Sequence, residues 1–156
     1  MDDITIARAL HVLAVIVWVG GVVMVTWVIL PAARRMAKPE DRIAFFEGVE
    51  RRFALQARVM TLLAAGSGFY MVHQLGMWSR FLDSAFWWMH AMVAVWAVFT
   101  LVLFVFEPLF LHRWFVERAR QAPERTFALV QRLHWVLATI SLLTAVAAVA
   151  GTHGAI

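Results

Sequence analysis

Apolar residues run almost unbroken through four stretches of this chain, and the charged residues gather between them. The first stretch runs from about Ile4 to Leu30 and ends at Pro31, interrupted only by Arg8 and His11 near its start. The others cover about Phe53 to Leu75, Phe86 to Leu111 and Phe127 to Gly151. A helix needs roughly 20 apolar residues to cross the hydrocarbon core of a bilayer, so the pattern predicts four transmembrane helices. The first is too long, and too poor in small residues at a cleavage point, to be a removable leader. Between spans one and two, Pro39 followed by Glu40 and Asp41 predicts the start of a short amphipathic helix lying at the surface around Phe45 and Phe46. The link Gly76 to Ala85 forces a hairpin. The predicted fold is all-α: an integral membrane four-helix antiparallel bundle forming a single domain over residues 1–156.

Composition agrees with this pattern and narrows the chemistry. The chain is 63% hydrophobic and 15% charged, with a mean hydropathy of +0.76. It has no cysteine, which excludes disulfides, thiolate metal sites, iron–sulfur clusters and covalently attached haem. A metal must therefore bind through histidine, methionine or carboxylate. The net charge of +4 is a matter of topology and does not signal a nucleic-acid partner. Twelve of the fourteen Lys and Arg residues, from Arg34 to Arg58 and from Arg113 to Arg132, fall on one side of the predicted spans, leaving Arg8 and Arg80 for the other. Basic loops stay in the cytoplasm. Both termini and the Gly76–Ala85 link are accordingly expected to be extracytoplasmic, in a multi-pass protein of the inner (cytoplasmic) membrane.

Small residues at helical spacing, Ala7, Ala14 and Gly21 on span one and Ala138, Ser141, Ala145 and Ala148 on span four, predict faces where helices pack closely. His11 and His134 lie on these stripes and are expected to point inward. At about 1.5 Å of rise per residue, His11 lies roughly 10 Å below the outer end of its span. His73 and His90 lie near the outer ends of spans two and three, so three histidines are expected to converge in the outer leaflet, with His153 above them. Polar groups inside a bilayer are costly and are functional candidates by default. Facing imidazoles can hold a haem iron, with Trp18, Phe69, Phe86, Trp87 and Trp88 to pack on a porphyrin and Arg80 to meet its propionates. The plainer role of an interfacial histidine is a hydrogen bond to a carbonyl or a lipid headgroup.

Nearer the cytoplasm, Arg58, Glu107, Arg132 and His134 form a second polar group. The expectation there is a salt-bridged lock around Glu107, because an unpaired carboxylate in lipid is expensive. The alternatives are a proton path, a quinone headgroup site or the propionate end of a second haem. His134 is a candidate ligand for that second centre. Met71, His73, Met77, Met89, His90 and Met92 give a competing reading, since thioether and imidazole suit Cu(I); methionine is also a common filler of apolar cores.

The segment Arg8-Ala9-Leu10-His11-Val12-Leu13, followed by Trp18-Val19-Gly20-Gly21, resembles the first helix of the CopD-like membrane proteins and of the related HemJ-type protoporphyrinogen oxidases. Arg52-Phe53 through Ala64-Ala65-Gly66-Ser67-Gly68-Phe69-Tyr70 resembles their second helix. The resemblance implies a four-helix bundle, often dimeric, which in the HemJ-type branch binds b-type haem. The family's first-helix histidine matches His11. The sequence departs from the HemJ pattern at Leu133-His134-Trp135, and it lacks the additional spans of many CopD proteins.

The leading expectation is a membrane b-type cytochrome with one or two haems, a haem-dependent oxidoreductase that takes electrons from quinol to an extracytoplasmic acceptor. Its iron ligands would come from His11, His73, His90 and His134. A copper-binding or copper-transport protein of CopD type, a HemJ-like porphyrinogen oxidase and a non-catalytic membrane anchor are the rivals.

Overall fold

The first helix opens on Asp2, whose Oδ1 accepts the Thr5 amide at 2.6 Å and satisfies one of the free N–H groups of the first turn. In the computed structural model, which describes residues 2–154, every regular element is helical and no strand occurs among those residues. Four long helices carry the chain: α1, Asp3–Arg35; α2, Pro39–Gln74; α3, Ser84–Gln121; and α4, Pro123–Thr152. By length and composition α1, α3 and α4 are apolar enough to cross a membrane. In α2 the polar Gln56 and Arg58 and the run Gly66-Ser67-Gly68 dilute the apolar residues. Large apolar side chains such as Ile16, Leu62, Leu143 and Val146 face outward, as lipid-facing residues do.

The expected short surface helix is not a separate element. Residues 39 to 74 form one continuous helix, opened by Pro39 at its first position and by Glu40 and Asp41 in its first turn. No proline interrupts it. Its apolar face at Ile43 and Phe46 is buried by protein, with Phe46 lying 5.1 Å from Phe115 and 5.8 Å from Phe127, centroid to centroid. That packing takes the place of the headgroup contact expected for an amphipathic surface segment.

Three apolar clusters hold the helices together. Trp18, Val22, Ala57, Phe99, Leu103 and Ala138 fill the middle. Val25, Leu30, Ile43, Phe46, Phe115 and Phe127 fill the arginine-rich end. Val72, Trp88 and Met89 close the end that carries the link. Of the small-residue stripes, Ala7, Ala14, Ala138 and Ser141 are buried, as expected of packing faces, while Gly21, Ala145 and Ala148 are half-buried. The link starts at Gly76, whose φ of 62° favours glycine, and continues through a 3₁₀ turn, Met77–Leu82, to the 3₁₀ turn that opens α3.

Two of the helices contain a wide-turn segment next to a proline. In α1 the π turns Val25–Ile29 precede Pro31, and in α3 the π turns Val102–Leu111 include Pro108. Proline has no N–H to donate, so with i→i−5 spacing the carbonyls of Thr26 and Leu103 lose their helical partners. A side chain from a neighbouring helix replaces each one. Gln131 Nε2 of α4 donates to the Thr26 carbonyl at 2.6 Å, and Arg58 Nε of α2 donates to the Leu103 carbonyl at 3.0 Å. In lipid, where no water fills a broken backbone bond, such replacement is what makes the break tolerable.

Candidate functional site

His11 sits where α1 meets α2. Its Nδ1 donates to the Ala64 carbonyl at 2.8 Å, and the Ser67 hydroxyl oxygen lies 3.3 Å from the same nitrogen. Ser67 sends its own proton to the Leu63 carbonyl at 2.6 Å. The ring seats against Gly68, where an added Cβ would stand 3.1 Å from His11 Cε1 and 3.2 Å from Nδ1. A glycine at that position admits the ring. An imidazole whose Nδ1–H is held by a carbonyl keeps its lone pair on Nε2, as histidines that bind metals do. His11 thus keeps an Nε2 lone pair that is able to accept a proton or a metal.

The other expected residues fall into different surroundings. His134 is part-buried and donates Nδ1 to the Val130 carbonyl of its own helix at 2.9 Å, which also leaves Nε2 with the lone pair. His73 is exposed near the end of α2. His90 is exposed too, and its Nδ1 and Nε2 lie 3.2 Å and 3.0 Å from the carbonyls of Phe86 and Phe81. With both nitrogens against carbonyl oxygens, His90 ties the link to the start of α3 and does not fit an iron ligand as it stands. Arg80 places its guanidinium over the Phe86 ring at 4.9 Å. Trp18 is buried in the central cluster, edge-on to Phe99 at 4.9 Å, and its Nε1 has no hydrogen-bond partner.

Met77, Met89 and Met92 pack with Val72 and Trp88 in the link-end cluster, and Met71 is part-buried on α2. Among the described residues no three His, Cys, Asp or Glu side chains lie close enough together to hold a metal ion. The outer histidines therefore do not form one metal-ligating group.

The second polar group contains the expected lock. Arg58 pairs with Glu107 while its Nε serves the Leu103 carbonyl, so one guanidinium closes both the charge and the proline break. Arg132 is exposed and takes part in none of the ion pairs among the described residues. Two participants were not anticipated from the sequence. Gln131 bridges α4 to α1, and Glu50, close to the lock on α2, has its carboxyl pushed up to about 7 by burial and by the Glu107 carboxylate, with His112 opposing and Glu47 adding to the rise. A neutral amide at a span boundary gives little sequence signal. The clue is Pro31, which strands a carbonyl that some neighbour must serve.

Long apolar helices with outward-facing leucine and valine, and with Thr26, Thr61, Ser67, Gln131 and Ser141 buried, define a multi-pass helical membrane protein. Scans of this chain against protein-family models, curated proteins and solved structures found no match.

Proposed function

We propose that the chain is a four-span antiparallel bundle of the inner (cytoplasmic) membrane, with both termini extracytoplasmic, that binds b-type haem through His11. In this reading it passes electrons from a quinol to an extracytoplasmic acceptor. The supporting observation is the His11 ring: held across the α1–α2 interface by the Ala64 carbonyl at 2.8 Å and seated on Gly68, it is fixed in one tautomer and one orientation. A ligand with its rotamer set in advance loses little freedom on binding iron. The likeness of the Arg8–Leu13 segment to the CopD-like and HemJ-type first helix supports the same residue, and His134 is the candidate for a second centre.

Bound haem would supply one-electron chemistry. The protein's part is to hold the iron from His11, keep water away with the Trp18 cluster and set the surrounding charge. Protein purified from haem-replete cells is expected to show a Soret band and, once reduced, α and β bands. His11→Ala is expected to lose the pigment while keeping its helical circular dichroism. A colourless wild-type protein defeats the reading, and so does a His11→Ala protein with unchanged bands.

A further inference from the structure

Arg34 and Arg35 close the last turn of α1, and both are exposed. Neither takes part in an ion pair among the described residues. Glu124 is already taken: Arg42 bonds it and does most to hold its carboxyl below the usual range, with the Arg34 charge adding a smaller share. Two guanidiniums therefore stand next to each other in the chain with no carboxylate bonded to either.

They form the rim of a groove of about 660 Å³ between α1 and α4, whose wall is made by Trp27, Pro31 and Trp135. The rings of Trp27 and Trp135 lie 5.7 Å apart, centroid to centroid, and both residues are exposed. At about 1.5 Å of rise per residue, Trp27 lies roughly 10 Å from Arg34 along the helix, toward the middle of the membrane. Thr26 and Gln131 also border the groove, but Gln131 is only 8% exposed and its Nε2 is spent on the Thr26 carbonyl at 2.6 Å. The groove's chemistry is thus a cationic rim above an apolar aromatic wall.

That order of surfaces selects among membrane amphiphiles. A neutral one, such as a sterol or a quinone, fills the wall and leaves both guanidiniums without a counter-charge. A zwitterionic phospholipid brings an ammonium along with its phosphate, and the ammonium meets two arginines where it needs an anion. A phospholipid with a net negative headgroup satisfies both levels. Its phosphate takes the paired N–H donors of a guanidinium, and its acyl chains descend onto Trp27 and Trp135. Basic pockets between membrane helices hold anionic headgroups in this way. Lying beside the π turns that precede Pro31, such a lipid bridges α1 and α4 where the backbone bonding of α1 is broken.

We propose that this groove is a binding site for an anionic phospholipid of the phosphatidylglycerol class, with Arg34 and Arg35 as the donors to its phosphate and Trp27 and Trp135 as the seat of its acyl chains. The site does not depend on haem, and its failure leaves the reading of His11 untouched.

The test counts lipids bound to the full chain by native mass spectrometry, after titration in detergent with phosphatidylglycerol or with phosphatidylcholine of the same acyl chains. Saturable phosphatidylglycerol binding is expected, roughly tenfold tighter than phosphatidylcholine, as two basic residues at a membrane surface allow. The double variant Arg34→Gln, Arg35→Gln is expected to remove that preference. Arg51→Gln with Arg52→Gln makes the same charge change on exposed residues of α2 outside the groove and is expected to keep it. Trp135→Ala, also at an exposed position, is expected to weaken phosphatidylglycerol binding severalfold. Equal binding of the two lipids by the wild type overturns the assignment, whether or not any variant folds. An equal loss in the two arginine pairs also overturns it, because the preference would then belong to the whole basic end. So does an unchanged affinity in Trp135→Ala, and so does full displacement by glycerol phosphate at matched concentration, which would make the rim a site for free anions.

Discussion

Pro31 in α1 and Pro108 in α3 produce the same defect by the same route. Each sits at a stretch of π turns, each lacks the N–H that would reach five residues back, and each leaves one carbonyl in need of a donor. The repairs differ. At Leu103 the donor is Arg58, whose other arm pairs with Glu107, so the break is closed by charge and every strong polar group has a partner. At Thr26 the donor is the neutral Gln131, whose remaining oxygen has no partner and which lines a groove. A break closed by an ion pair holds the helices together and has nothing left to offer. One closed by half an amide holds the backbone and leaves a buried oxygen without a donor.

The sharpest way to break this contrast is to remove the charged repair. Arg58→Leu leaves the Leu103 carbonyl without a donor and Glu107 without a counter-ion. Each side of the ion pair is between a fifth and a third exposed, with Arg58 at 31% and Glu107 at 23%. The expected loss is therefore below that of a fully buried pair, about 2–4 kcal/mol, read from thermal unfolding in detergent. Arg58→Leu with Glu107→Leu should recover part of it, because the carboxylate no longer stands alone.

Gln131→Leu should cost less, about 1–2 kcal/mol, since one neutral hydrogen bond is lost and no charge is stranded. The decisive comparison adds Pro31→Ala. Restoring the N–H at position 31 gives the Thr26 carbonyl a backbone donor, so the double variant should be more stable than Gln131→Leu alone. If Pro31→Ala gives no rescue, the stranded carbonyl is not what Gln131 serves.

How much of this could be read from the sequence follows from what each residue's type reveals. Uninterrupted apolar runs gave the three apolar helices α1, α3 and α4, because lipid tolerates few alternatives to a helix. Ala7, Ala14, Ala138 and Ser141 announced their packing faces by spacing. The Arg58–Glu107 lock was legible because charges inside a span must pair. Gln131 was hidden: its role depends on the register of a proline on another helix, which periodicity does not carry. The surface helix around Phe45 and Phe46 was misread for a similar reason. Amphipathicity says that one face is apolar, and only the fold says that Phe115 and Phe127 cover Phe46 instead of lipid. His90 looked like a ligand in isolation, and only the course of the link shows two carbonyls against its ring.

Glu50 tests whether the charged repair has a pH range. Its carboxyl is raised from the ordinary 4.5 to about 7, so the folded protein holds that proton more tightly than the unfolded chain. The resulting stability is fully present below about pH 4.5, falls as the pH rises toward 7, and is then level. Screening by interfacial water leaves a change of about 1 kcal/mol. Glu50→Gln should flatten that slope and raise the melting temperature at pH 8. An unchanged slope would show that another group titrates there.

The smallest effect should come from Thr26 itself, and it separates side chain from backbone at the neutral break. The Thr26 hydroxyl donates to the Val22 carbonyl at 2.7 Å and lies 3.4 Å from the His134 carbonyl. The Gln131 bond runs to the Thr26 backbone oxygen and does not involve the hydroxyl. Thr26→Val keeps the shape and the backbone acceptor while removing one hydroxyl, and neither carbonyl depends on it alone. The expected loss is about 0.5–1 kcal/mol, well under that of Gln131→Leu. If the two variants cost the same, the hydroxyl holds α1 to α4, and Pro31 has no special claim on Gln131.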